Sequence, residues 1–329
     1  MTELEKTPEV PAMEDKDRIH EEQKVYDIIV VGGGPCGCTA ALYGGRAGLS
    51  VLVVEALAPG GQMATTDRVE NYPGFPQGIG GYELAEQMKT GAERFGAEFV
   101  SGEAKKVELG GKIKKIYTNS KEYWGRSVIL ATGASPRELG LPLEKELRGR
   151  GVSYCATCDG MFYRGKKVAI IGGGDTAAAD AVYLSRICEK VTMIHRRDTL
   201  RASRAYLEPL KACSNVEILW NTVAEEILQE DGKVKGMRLK NVSTGENTQL
   251  LVDGIFVAVG NVPNSGLFAD CLRLDSNGYI MADSTTRTAV QGVFAAGDVR
   301  RKSLRQIVTA VSDGAQAALA AEEYIASQF

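Results

Sequence analysis

Two stretches of the chain carry the same succession of apolar and polar positions. In VYDIIVVGGGPCGCTAALYGGRAGLSVLVVEA, residues 25–56, an apolar run stops at three glycines, a small-residue stretch of helical length follows, and a second apolar run ends on an acid. GKKVAIIGGGDTAAADAVYLSRICEKVTMIHR, residues 165–196, repeats that order, except that its second apolar run ends on His195 and Arg196. Short apolar runs bounded by glycine predict buried strands, and the alanine-rich stretch between them predicts the crossover helix of a βαβ unit. Each unit leads into β-rich sequence with tight turns, at Gly110-Gly111 in the first and Asp231-Gly232 in the second. Each repeat closes on a strand ending in glycine, VILATGASPR (128–137) and IFVAVGNVPN (255–264).

The remaining residues, 265–329, hold one more strand end, GVFAAGD (292–298), and a final helix with apolar spacing at Ile307, Ala310, Val311, Ala318 and Ile325. This piece is too short for a third core, so it is expected to return and complete the first. The predicted fold is therefore α/β, with two tandem Rossmann-like nucleotide-binding domains of three-layer ββα type, the second inserted into the first. The expected boundaries are a charged, disordered tail at 1–24, a first domain from 25–137 and 265–329, and a second domain at 138–264.

Composition narrows the function. A net charge of −3 argues against a nucleic-acid surface as the main business. The tail lacks the apolar core of a signal sequence. Residues 28–45 carry no charge, but six glycines and Pro35 in that span argue against a membrane helix. Seven cysteines thinly spread over 329 residues do not resemble a secreted disulfide framework. A reducing, cytoplasmic setting is expected.

The glycine loops point to dinucleotides. A strand ending in G-x-G-x-x-G and opening a helix lets backbone approach a pyrophosphate at the helix N-terminus. Gly32, Gly34 and Gly37, with Pro35, fit the first loop; Gly172, Gly174 and Ala177 fit the second. The residue 23 positions after the first glycine differs between them: Glu55 in the first repeat, His195 in the second. An acid there accepts hydrogen bonds from an unphosphorylated ribose, as in FAD. His195-Arg196-Arg197, with Arg201 just beyond, suits a ribose carrying a phosphate, because the guanidinium fork matches phosphate oxygens. The first domain reads as FAD-binding and the inserted one as NADPH-binding.

Cys155-Ala156-Thr157-Cys158-Asp159 poses a choice between a redox couple, half of a metal site and two inert thiols. The other candidate metal ligands, His20, His195, Cys36 and Cys38, are badly placed for zinc. Gly151, Asp159 and Gly160 around the pair suggest an accessible turn, which favours the redox couple. Reducing its disulfide needs a proton donor for the departing thiolate. Neither histidine can reach, so Asp159 is the candidate acid and base, and burial should raise its pKa. The remaining cysteines, 36, 38, 188, 213 and 271, read as structural, although Cys36 and Cys38 in the first loop leave room for a secondary sensitivity to peroxide.

These motifs together, GGGPCG, GGQM with VENYPG, ATGASPR, CATCD, GGGDTA, HRRDTLR and GVFAAGD followed by LRQI, resemble the low-molecular-weight bacterial-type thioredoxin reductases from about Tyr26 to the C-terminus. The resemblance implies FAD held through Gly32, Gly34, Glu55, Gly61, Gln62, Asn71, Asp298, Arg305 and Gln306, with Thr132, Gly133, Gly297 and Ile307 in the same motifs. It implies NADPH held through Gly172, Gly174, Asp175, Thr176, Ala177, His195, Arg196, Arg197 and Arg201. It further implies that Cys158 faces the flavin, that Cys155 exchanges with thioredoxin or a thioredoxin-like protein, and that the protein is a homodimer. Departures are slight: Cys36 stands where the family often has a small apolar residue, and Asn261 where it often has histidine.

One expectation is mechanical. The dithiol and the nicotinamide site belong to one domain, yet both must reach the same flavin and the disulfide must also reach a protein. That domain is expected to swivel on linkers near 135–141 and 261–265. The rival reading is a flavin-dependent dithiol oxidase, or a reductase of another disulfide partner.

Overall fold

The computed structural model describes residues 24–66 and 68–329. Apart from Lys24, the expected tail lies outside the described residues. Strand Val25–Val31 is the centre of the first sheet, paired in parallel with Val51–Glu55 on one side and Glu122–Leu130 on the other. Glu98–Ser101 extends the sheet beyond Val51–Glu55. Strand Glu122–Leu130 serves two partners along its length. Its first half pairs antiparallel with Lys114–Tyr117, which pairs with Lys106–Glu108; its second half pairs in parallel with Val293–Ala295. The returning C-terminal segment thus completes the first sheet, and the second domain is inserted within the first.

Side chains on a strand alternate between faces, so the apolar runs are buried on both. Ile28, Val30 and Ile129 face helices Pro35–Arg46 and Ile307–Gln328, with Ala40, Ala317 and Ala321 in the same core. Ile29, Val31, Val128 and Leu130 face the other way, against Phe268 and Ile280. The small residues of the two helices let them approach closely: a Cβ on Gly314 would lie 2.2 Å from the Cys36 carbonyl oxygen.

The second sheet is parallel throughout, in the order Val216–Leu219, Lys190–Ile194, Lys167–Gly172, Gly254–Ala258, Val152–Ser153. A three-stranded antiparallel sheet covers one face, its first hairpin turning through Asp231 and Gly232, both with positive φ. Helix Asp175–Ser185 packs on the opposite face through Ala177, Ala178, Ala181 and Leu184. Phe256 is fully buried in that core, and burial of such a side chain contributes about 1.5–3 kcal/mol. The two connections between the domains are not separate strings. Ala134–Pro136 and Asn261–Pro263 pair as an antiparallel ribbon, Ser135 opposite Val262.

Candidate active site

The two glycine loops solve one steric problem in the same way. The first glycine of each abuts a neighbouring strand end: a Cβ on Gly32 (φ 104°) would lie 2.5 Å from the Ala131 carbonyl oxygen, and one on Gly172 would lie 2.4 Å from that of Ala258. Gly37 cannot carry a side chain at all, because its Cβ would meet the Gly32 carbonyl oxygen at 1.9 Å. Gly34 and Gly174, by contrast, have nothing within 4 Å of the Cβ position. They cap helices Pro35–Arg46 and Asp175–Ser185, whose N-termini lack any side-chain cap. Each loop therefore offers open space directly in front of unsatisfied helix N–H groups, as a pyrophosphate requires.

Glu55 and His195, the residues that distinguish the loops, both lie beneath the middle glycine. Glu55 Oε2 accepts from the Gly33 N–H at 2.6 Å and Oε1 from the Leu57 N–H at 3.0 Å. His195 is 5% exposed and its ring lies so close that a Cβ on Gly173 would be 2.2 Å from it. Its Nε2 bonds the Thr199 carbonyl at 2.8 Å, and Trp220 stacks edge-on. His195 is thus a floor for the loop, buried away from the surface. Arg196, Arg197 and Arg201 are exposed. None of them pairs with a carboxylate among the described residues. The Arg201 N–H donates to the Gly173 carbonyl at 2.7 Å, and Asp175 accepts from the Ser203 N–H at 2.6 Å, so the arginine loop is tied to the glycine loop. Thr176 is exposed and Ala177 buried at the start of the same helix.

In the first domain, residues 61–66, 68–71 and 297–307 form one wall. Gly61 (φ 54°) lies beside Gly34, the Gln62 amide donates to the Ala134 carbonyl, and Asn71 Nδ2 donates to Gln306 Oε1 at 3.0 Å. Ile307 packs on the Met63 cluster. Gln306 caps the last helix, and Arg305 lays its guanidinium over the Tyr279 ring at 3.9 Å. Gly297 turns the chain with φ 74°, and the next residue, Asp298, is pushed above its ordinary pKa by burial, against the Lys302 and Arg305 charges. Asp298 Oδ1 and Arg305 Nε are buried without a hydrogen-bond partner, although Lys302 Nζ stands 3.9 Å from that oxygen. Such atoms need a partner, and a ribityl and pyrophosphate chain lying along this wall would supply one, so the residues fit FAD. Thr132 and Gly133 are differently engaged: Asn264 bonds both, with Thr132 Oγ1 donating to its carbonyl at 2.7 Å. Asn264, the lock between the two linkers, was not singled out from the sequence.

Cys155 and Cys158 are joined, with sulfurs 2.12 Å apart, across a single turn of helix, Ala156–Asp159. Both are partly exposed. Thr157, between them, touches the first domain: its carbonyl accepts from Asn71 at 3.5 Å and its hydroxyl from Gln306 at 3.2 Å. The disulfide turn is therefore clasped to the wall that fits the flavin. Asp159 lies under the turn, its carboxyl raised by burial, against a hydrogen bond from Ser153 and the Arg148 charge. Just past it in the chain, three and four residues after Cys158, Met161 and Phe162 are exposed apolar side chains. Sequence reasoning missed Ser153 and Thr157, although Thr157 lies between the paired cysteines and Ser153 only two residues before them.

The remaining thiols are free. Cys36 and Cys38 are buried and burial pushes their pKa values up, that of Cys38 to about 12. A thiol held protonated reacts poorly with peroxide, so the sensitivity expected of this pair does not follow from their surroundings. Cys271 is exposed, and its thiol donates to the Phe268 carbonyl at 3.4 Å.

With this geometry in view, comparison with known proteins is specific. A family model for pyridine nucleotide-disulphide oxidoreductases matches residues 26–314. The thioredoxin reductase of Bacillus subtilis is 47% identical over 304 residues, 92% of this chain and 96% of that one. That of Treponema pallidum is 49% identical over 300 residues, 91% and 97% of the two chains. The chain belongs to the thioredoxin reductase family of pyridine nucleotide-disulphide oxidoreductases. FAD and NADPH are accordingly its cofactors. Among solved structures, thioredoxin reductase from Streptococcus pyogenes superposes with a TM-score of 0.86 at 44% identity, over 92% of this chain and 99% of that one. The Lactococcus lactis enzyme, in what is described as the FR conformation, superposes at 0.65 with 43% identity and the same coverage.

Proposed function

We propose that the chain carries electrons from NADPH through FAD and the Cys155–Cys158 disulfide to thioredoxin or a thioredoxin-like protein. The observation that carries the reading is the redox disulfide seated by Thr157 against Asn71 and Gln306, on the wall that also holds the Asp298 and Arg305 atoms without hydrogen-bond partners. FAD would be held by the first glycine loop, Glu55 and that wall, and NADPH by the second loop and its arginines. The domain limits 25–137 with 265–329, and 138–264, belong to this reading. When bound, the two cofactors supply two-electron chemistry at the disulfide.

The chain's own residues manage protons and thiols. Reduction of the disulfide consumes two electrons and two protons, and the buried carboxyl of Asp159 is suited to deliver a proton to the departing thiolate. In the reverse sense the ionised Asp159 takes the proton back, so that Cys155 attacks the partner's disulfide as a thiolate and Cys158 resolves the mixed disulfide. Met161 and Phe162 would give the partner an apolar seat.

Thr157 cannot hold the disulfide against the first domain and present it to a protein at once. A swivel on the ribbon of Ala134–Pro136 and Asn261–Pro263 resolves this. Two relatives of equal coverage and almost equal identity superpose at 0.86 and 0.65. A rigid reorientation of domains lowers a whole-chain superposition in that way, which supports the swivel. Exposed Tyr43, Tyr82 and Leu319 lie on the three helices that cover one face of the first sheet and support a homodimer. Free thiols suit the cytoplasm, and no helix among the described residues is long and apolar enough to cross a membrane.

Following NADPH oxidation with thioredoxin, and with oxygen alone, tests the reading. Cys155→Ser and Cys158→Ser should each abolish the thioredoxin-dependent rate while an artificial acceptor that draws on the flavin is still reduced. Equal rates with and without thioredoxin in the parent protein would favour the oxidase instead.

A further inference from the structure

Ser153 ends the short strand Val152–Ser153 and is 4% exposed. Its hydroxyl lies 2.6 Å from Asp159 Oδ2. The same oxygen accepts the Cys155 N–H at 3.1 Å and lies 3.4 Å from the Cys155 carbonyl. A hydroxyl has one proton to give and two lone pairs to receive with. These contacts therefore admit two complete arrangements. With Asp159 ionised, the Ser153 proton points at Oδ2 and one lone pair takes the Cys155 N–H. With Asp159 protonated, the carboxyl donates to the second lone pair and the Ser153 proton turns to the Cys155 carbonyl. Neither arrangement strands a buried polar group, which would otherwise cost as much as a lost hydrogen bond. The other groups facing the carboxyl are Arg148 and the Tyr163 phenol, and neither is within hydrogen-bonding distance of it.

From this we infer that Ser153 is a positioning residue that keeps Asp159 hydrogen-bonded in both of its protonation states and couples that state to the backbone of Cys155. The inference rests on the reading of Asp159 as the proton carrier. Ser153 itself touches neither sulfur. It acts by making the loss and gain of one proton on Asp159 a rotation of a single hydroxyl, with no rearrangement of the turn that holds the disulfide.

The test is infrared difference spectroscopy of the flavin-loaded enzyme, oxidised minus dithionite-reduced, across pH. The carboxylic acid band of Asp159 is assigned by its loss in Asp159→Asn. In Ser153→Ala the ionised carboxylate loses the hydrogen bond from Ser153, so the midpoint at which the band disappears should move upward by about one pH unit or more. The band itself should move to higher frequency. Ser153→Gly, which places no methyl at the buried strand end, carries the same expectation if the alanine variant does not accumulate as a flavoprotein. A band lost in Asp159→Asn but with an unmoved midpoint in both Ser153 variants overturns the role of Ser153 alone. A band that survives Asp159→Asn instead overturns the reading of Asp159.

Discussion

Replacing Asp180 with asparagine is expected to stabilise the inserted domain at neutral and alkaline pH and to leave its stability at pH 4 almost unchanged. Asp180 lies on helix Asp175–Ser185, in the turn between the buried residues Ala177 and Leu184. Burial alone pushes its carboxyl from 3.8 up to about 7. The sign follows from linkage. A carboxyl whose folded pKa is raised holds its proton more tightly when folded, so its contribution is fully present below the unfolded value and is lost as pH rises through the folded one. Between pH 4 and pH 7 the unfolded chain has released this proton and the folded chain has not. At about 1.4 kcal/mol per pH unit, the three units amount to about 4 kcal/mol. That is an upper limit, because the residue keeps part of its surface. Asparagine has the shape of the protonated acid and does not titrate. A two-domain chain need not unfold in one step, so the assay is hydrogen exchange of the amides in strands Lys167–Gly172 and Gly254–Ala258, corrected for intrinsic rates at each pH. Protection in the variant should exceed that of the parent by a margin that grows from pH 5 to pH 8. A margin independent of pH would refute the reasoning.

Two further outcomes are expected. Thr157→Val removes the hydroxyl that accepts from Gln306; at about 0.5–1.5 kcal/mol for the bond, the clasped arrangement should fall by about 2- to 13-fold relative to the released one. Energy transfer between dyes on the two domains would report this, and an unchanged distribution would show that the clasp does not hold the orientation. Gly37→Ala drives a methyl into the Gly32 carbonyl; the purified protein should lose its flavin while the second domain still binds NADP⁺ by calorimetry, and full retention of flavin would mean the first loop is not where it binds.

What was legible in the sequence is what depends on local spacing. The apolar runs of 25–31 and 167–172, the glycines at fixed offsets and the C-x-x-C pair each declare themselves within a few positions. The inserted topology was legible too, because 293–295 repeats the character of a strand end with nothing of its own to pair with. What stayed hidden depends on partners far apart in the chain. Asn264 locks Thr132 across 132 residues, and Gln306 reaches Thr157 across 149. The half-buried Arg300 and Lys302 meet the buried Asp313 on the last helix, where Asp313 also accepts the Gly297 N–H at 2.9 Å. No periodicity announces such pairs, since each member alone looks like an ordinary surface residue. Ser153 was hidden for the opposite reason. It stands two residues ahead of the motif, and a serine there carries no signal until the depth of Asp159 is known.

His195 shows how one fold position can be turned to two ends. Its counterpart Glu55 satisfies the Gly33 N–H with one carboxylate oxygen and so stays at the rim of the first loop, half-buried, where a ribose can still reach it. His195 fills the same space with a ring that has no such bond to give the glycine loop. Its Nε2 bonds forward instead, to Thr199, four residues on. That bond closes a turn whose intervening residues, Arg196 to Asp198, must all project outward because the ring occupies the interior. The arginines thus face solvent because a buried neighbour folds the chain back, and Arg201 is then brought to the glycine loop by its own backbone bond to Gly173. Preference for a phosphorylated ribose is therefore expected to depend on an imidazole buried beneath the loop.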